Sequence, residues 1–149
     1  MKKKLFIFSS EKIYLQNNRY FCDNIDLKST PEGLNKKFEV ILFGRRSSKK
    51  KTHEIKIKKI LIFNSILSYL AAVFKAAKIT ETKFLVISIS PYTFFICLFL
   101  KLLGKTPIVF LRSDGYGEYK AILGKFGPII YHIMFNTVSL MSNFISVRK

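Results

Sequence analysis

The chain has 149 residues, 26 Lys plus Arg against 9 Asp plus Glu, and a formal net charge of +17. It is also 49% hydrophobic, with 15 Phe, 7 Tyr and a mean hydropathy of +0.20, which excludes a disordered basic tail, a collagen-like rod and a coiled coil. Cys22 and Cys97 are its only cysteines and Cys97 lies in an apolar run, which excludes a disulfide scaffold and reads as two reduced thiols in a cytoplasmic setting.

Lys4 to Phe8 is a short apolar run bounded by serines. Its apolar core before Ser9 is shorter than the roughly 7–15 residues of a signal-peptide core, so it reads as a first strand. Residues 9–35 are polar and irregular, with Asn17-Asn18, Thr30-Pro31 and Gly33 as turn signals and a short helix expected at Glu32 to Lys37 or slightly earlier. Glu39 to Phe43, closed by Gly44, is a strand apolar on both faces. Arg45 to His53 reads as a basic turn, and Glu54 to Ile60 alternates as one half-exposed strand near a sheet edge.

Asn64 is the expected cap of a helix to about Lys78, with Ile66, Leu67, Leu70, Val73, Phe74 and Ala77 on one face. Lys83 to Ile89 is a buried strand. Ser90-Pro91 then caps and starts a helix to Leu103, stopped by Gly104. Pro107 to Leu111 is a further strand, Arg112 to Tyr119 a polar loop, Gly127-Pro128 the start of a helix to about Met141, and Phe144 to Val147 a last strand. Buried strands alternating with helices of this length predict an α/β fold: a Rossmann-like parallel sheet with helices on both faces, as a single domain over residues 1–149.

The stretches Ile60–Ala77, Phe84–Leu103 and Pro128–Met141 are apolar enough to invite a membrane reading. A span needs about 20 mostly apolar residues. Asn64, Ser65, Ser68 and Lys75 interrupt the first, and Ser88, Ser90 and Pro91 the second. The third is too short and contains His132 and Asn136. They are expected to be strand–helix pairs or a short buried helix.

The charge has a bland source. With 21 Lys against 5 Arg, and 19 Ile against 6 Val, both biases fit AT-rich codons. Its local concentration carries more: Arg45, Arg46, Lys49, Lys50, Lys51, Lys56 and Lys58 form a candidate anion- or membrane-binding patch. No recognition-helix, zinc-finger or single-strand-binding signature accompanies them, so no nucleic-acid partner is expected.

In an open parallel sheet, ligands bind beyond the carboxyl ends of the strands. The small polar ends are Ser9-Ser10, Gly44-Arg45 and Ser88-Ile89-Ser90. Arg112-Ser113-Asp114-Gly115-Tyr116-Gly117-Glu118-Tyr119 differs, joining titratable groups to two glycines and two tyrosines. Arg112 suits a phosphate or carboxylate and Asp114 a sugar hydroxyl, while Tyr116 and Tyr119 suit a sugar ring. The glycines allow close backbone approach or positive φ. The plain alternative is a solvated loop with an Arg112–Asp114 ion pair. Asp23-Asn24-Ile25-Asp26 reads chiefly as a cap or turn, with acceptor hydrogen bonding as the alternative. His53 reads as a solvated turn residue and His132 as packed in or beside a helix. There is no phosphate-binding glycine motif, and no metal-ligand cluster, nucleophile triad or cofactor motif is found in the sequence.

Taken in order, KLFIFSS, Arg19-Tyr20-Phe21-Cys22-Asp23-Asn24, EVILFGR, ISISPYTF and PIVFLRSDGYGEY resemble the N-terminal domain of GT-B-fold glycosyltransferases, particularly the retaining family-four group. The resemblance covers nearly the whole chain. It implies an acceptor-binding domain acting at a cytoplasmic membrane surface on a glycan or lipid-linked acceptor. Ser9, Ser10, Ser90, Arg112, Ser113, Asp114, Gly115, Tyr116 and Glu118 are the cleft candidates, and no catalytic residue is assigned. It also implies a nucleotide-sugar donor held by a second domain or partner subunit with a Glu-x7-Glu motif, which these residues do not contain. The chain is thus expected to be a fragment, the product of a truncated gene or a half-enzyme that needs a partner, and inactive alone. Ser9-Ser10-Glu11-Lys12 and Arg112-Ser113-Asp114 stand where members often carry a Gly-rich turn and a histidine. Two other classes remain open: a non-catalytic basic membrane-surface module, and a stand-alone nucleotide-binding domain.

Overall fold

A computed structural model describes residues 2–146. The elements are β1 (Lys4–Gln16), β2 (Arg19–Cys22), α1 (Ile25–Leu34), β3 (Glu39–Arg46), β4 (His53–Ile55), β5 (Lys59–Phe63), α2 (Ile66–Ala77), β6 (Thr82–Ile87), α3 (Pro91–Leu102), β7 (Ile108–Leu111), α4 (Gly115–Leu123), α5 (Gly127–Ser139) and β8 (Asn143–Ser146). Six strands pair in parallel in the order β5-β3-β1-β6-β7-β8. Numbered along the chain, that order is 3-2-1-4-5-6, the doubly wound arrangement whose direction reverses between the first and fourth strands. The chain is therefore α/β with a Rossmann-like, mostly parallel sheet and helices on both faces. An antiparallel ribbon of β2 and β4 adds to the far part of β1.

The unbroken apolar runs are strands buried on both faces. Phe6 and Phe8 of β1, with Phe43 and Phe84, point into one layer beneath α2, α3 and α5. Leu5 and Ile7, with Leu42, Leu85 and Ile87, point into the other, where Leu27 of α1 and Ile55 cover them. Tyr69 of α2 ties the first layer to the sheet. Its hydroxyl accepts from Ser9 N–H at 3.1 Å and lies 2.9 Å from Ser9 C=O and 3.1 Å from Phe43 C=O. The second layer is incomplete over β6, β7 and β8, where Leu85, Ile108, Phe110 and Ile145 line an open apolar groove of about 490 Å³.

Ile60–Ala77 is β5 plus α2, Phe84–Leu103 is β6 plus α3, and the third stretch is α5. Among the described residues no helix is long and apolar enough to cross a membrane.

Several boundaries differ from expectation. β1 does not stop at Phe8. Its register against β3 shifts between Phe8 and Lys12, a bulge, and it continues to Gln16 with Ile13 fully buried against Gly44. Asn17 and Asn18, at φ 50° and 59°, turn it into β2. α1 starts at Ile25, because the Asn24 side chain accepts from Asp26 N–H and caps it. The expected strand Glu54–Ile60 is two strands. At the break, Lys56 N–H leaves the ladder and donates to Glu32 Oε1 at 2.7 Å. Lys56 and Lys58 accordingly sit on an exposed connection, not a strand face. Ser65, not Asn64, caps α2. Residues 115–119 are helix, not loop: Asp114 caps α4 through Tyr116 N–H at 3.1 Å. Of the last strand, Val147 lies outside the described residues.

Candidate functional site

The carboxyl ends of β1, β6 and β7 open onto a cavity of about 550 Å³. It lies where β1 and β6 part company. β1 pairs with β6 only through Ser9, then diverges along β3 and β2 while β6 ends at Ile87. The crevice is thus at the point where the strand order reverses. Asn24, Ser90 and Asp114 cap α1, α3 and α4, so three helix N-termini border the cavity and favour negative charge in it.

Five of the nine cleft candidates line this cavity: Ser10, Ser90, Arg112, Ser113 and Glu118. The other four do not. Ser9 lies beneath it, 1% exposed and held by Tyr69. Asp114 is occupied in capping α4. Gly115 is buried because the Tyr131 ring fills the space of a Cβ, so its lack of a side chain serves packing and not ligand approach. Neither Gly115 nor Gly117 has positive φ; Gly104 and Gly124 do. Tyr116 packs on Tyr131 at 4.9 Å between ring centroids, and its hydroxyl meets His132 Nδ1 at 2.8 Å.

Arg112 is the best-defined polar group. Its side chain is only 10% exposed. Nη1 donates to Asn24 Oδ1 at 3.1 Å and approaches Asp26 Oδ2 at 3.4 Å, so Arg112 pairs with α1 and not, as in the plain alternative, with Asp114. Its buried Nε has no hydrogen-bond partner among the described residues. A buried guanidinium donor without an acceptor is a cost that a bound oxygen would remove. Asn24 Nδ2 also donates to Glu11 Oε1 at 3.3 Å. Asn24 therefore caps α1 and, with Asp26 of its first turn, also orients Arg112.

Glu11, Asp26 and Glu118 give the cavity three carboxylates, and Ser10, Ser88, Ser90 and Ser113 give it hydroxyls. Tyr119, Ile122 and Leu123 form an apolar wall on α4. Burial, and then Glu118, hold the Tyr119 phenol above its ordinary range. Ser88 adopts φ 62°, with its N–H on Phe110 C=O and its C=O accepting from the Thr93 hydroxyl. A left-handed non-glycine residue costs about 1–2 kcal/mol and is held by its surroundings.

The sequence does not single out Glu11, which falls in the bulge of β1; Ser88 is marked as part of a strand end, but its strain is invisible without coordinates. Asp26 is legible chiefly as a cap or turn residue, with acceptor hydrogen bonding as the alternative, and Ile122 and Leu123 carry no signal until α4 is known to be a helix.

Of the basic patch, Arg46, Lys49, Lys50, Lys56 and Lys58 are exposed, while Arg45 and Lys51 have partners within the fold. Arg45 lies over the Tyr92 ring at 4.4 Å, and Lys51 pairs with Asp23 at 2.6 Å. His53 lies in β4, half-buried. His132 lies on α5, its ring nitrogens meeting Tyr116 and Asn136. Among the described residues no group of three His, Cys, Asp or Glu could hold a metal.

No family model, curated protein or solved structure matches this chain.

Proposed function

We propose that the chain is the acceptor-binding half of a glycosyltransferase, taking a glycan or lipid-linked sugar into the cavity at the β1–β6 divergence. The observation that carries this reading is the pairing of Arg112, buried with a free Nε, with three carboxylates and several hydroxyls in one crevice. Carboxylates accept from sugar hydroxyls, and a guanidinium binds a phosphate or carboxylate in a forked geometry. Tyr119 and Ile122 offer the apolar face that a sugar ring stacks on. In this reading a separate domain or subunit holds the nucleotide-sugar donor.

A stand-alone nucleotide site is less well supported. In a dinucleotide-binding fold the first strand turns into a helix whose N-terminus receives the pyrophosphate. Here β1 runs on to Gln16 and returns as β2, so no helix starts at that turn.

The direct test is to join this chain to a family-four donor domain and assay a panel of nucleotide-sugars. Transfer or donor hydrolysis that Arg112→Ala abolishes supports the proposal. No turnover across the panel, with the fusion folded, counts against it.

A further inference from the structure

α4 and α5 form an antiparallel hairpin that rises past the carboxyl edge of the sheet. Tyr116, edge-on, and Tyr119, tilted, both pack against Tyr131, and the Tyr119 carbonyl occupies the space of a Cβ on Gly127. The hairpin tip therefore lies beyond these contacts, around the turn at Gly124, which takes φ 65°. That tip is apolar and uncovered: Ile122 is 74% exposed, Phe126 72% and Ile129 59%, with Leu123 and Ile130 beside them. Apolar side chains clustered this way on a surface mark an interaction site.

We propose that this tip is a membrane-docking surface that inserts into the interfacial region of an anionic bilayer and opens the neighbouring cavity towards the lipid. Charge selects the occupant. Residues 120–133 contain Lys120 and Lys125, both exposed, and no Asp or Glu. A second copy seated on the tip would face these lysines with like charge. Anionic headgroups neutralise them while the apolar side chains enter the acyl boundary. Ile122 and Leu123 belong both to the tip and to the cavity wall, so a lipid-borne group leaving the bilayer meets the cavity directly. The direction of access rests on the acceptor reading above; the docking surface does not.

The test is flotation of the full chain with phosphatidylcholine vesicles, with and without phosphatidylglycerol. The wild type is expected to float with the anionic vesicles. The triple variant Ile122→Ser, Phe126→Ser, Ile129→Ser is expected to partition about 100-fold less, on the basis of the apolar surface removed. Lys120→Glu with Lys125→Glu is expected to lose the anionic preference, and Lys49→Ala with Lys50→Ala to float as the wild type does. The chain contains no Trp, so Phe126→Trp gives a single reporter whose emission is expected to shift to the blue on vesicle binding. The proposal is overturned if the wild type does not float, if the triple variant floats unchanged, or if the tip substitutions dissolve a dimer and leave vesicle binding untouched. Arg112→Ala is expected to float normally, so loss of acceptor binding in that variant is separable from loss of docking.

Discussion

Arg112, just beyond β7, reaches back over the carboxyl edge of the sheet to Asp26 in the first turn of α1, with Nη1 3.4 Å from Oδ2. The two residues are unequal. The arginine side chain is 10% exposed and the aspartate 57%, so solvent screens the pair and its role is to aim the guanidinium more than to stabilise the fold.

That asymmetry predicts different outcomes for the two partners. Asp26→Asn should change stability by less than about 1 kcal/mol. Arg112→Ala should cost stability only modestly but weaken acceptor binding by about ten-fold or more, because a charged hydrogen bond is worth about 1.5–3 kcal/mol. Arg112→Lys should recover little, since an ammonium cannot make the forked contact. Parallel urea melts and binding titrations of the three variants check this.

Tyr69 serves the fold. Its hydroxyl is the partner of both Ser9 backbone groups at the point where β1 leaves β6. Burial pushes its phenol well above the ordinary range, so it stays protonated as a donor. Tyr69→Phe should destabilise by about 1–3 kcal/mol, the cost of leaving buried polar groups unpaired. A lower urea midpoint at unchanged slope would show it.

The hairpin carrying the cavity wall depends on Gly127. A Cβ there collides with the Tyr119 carbonyl, which is backbone and cannot rotate aside. Gly127→Ala should separate α4 from α5 and cost about 1–3 kcal/mol. Hydrogen exchange should speed up in residues 115–123 while the amides of β1, β3 and β6 stay protected.

The two thiols should be inert in the native state. Burial pushes Cys97 up to about 12; burial, then Glu11, push Cys22 up to about 11. Both values lie above the ordinary 9.0, so the folded chain holds these protons more tightly than the unfolded one. Their contribution to stability is complete below pH 9 and fades as pH rises from 9 towards 12. Alkylation at neutral pH should label neither residue until denaturant is added. Rapid labelling of either would contradict the buried placement.

The parallel strands were legible because strands buried on both faces leave apolar runs with no alternation, as in Leu5–Phe8 and Val40–Phe43. α3 was legible because Ser90 and Pro91 mark a helix start by local chemistry. α4 was not: its two glycines and polar face resemble a loop, and its helix depends on the Asp114 cap and on packing against Tyr131, a residue outside its own segment. The expected strand Glu54–Ile60 failed for a similar reason, since β4 and β5 answer to different partner strands. In the cavity, Ser10, Ser90, Arg112, Ser113 and Glu118 follow from the rule that ligands gather at the carboxyl ends of strands. The arginine's orientation does not, because Asn24 lies 88 residues away in sequence.

The central claim is that the crevice around Arg112 receives a sugar. A glycan array probed with the labelled wild-type chain and with Arg112→Ala tests it most directly. The account predicts saturable binding to a subset of glycans, lost in the variant while the fold is retained. Absence of glycan binding by the wild type, or equal binding by both proteins, would contradict it.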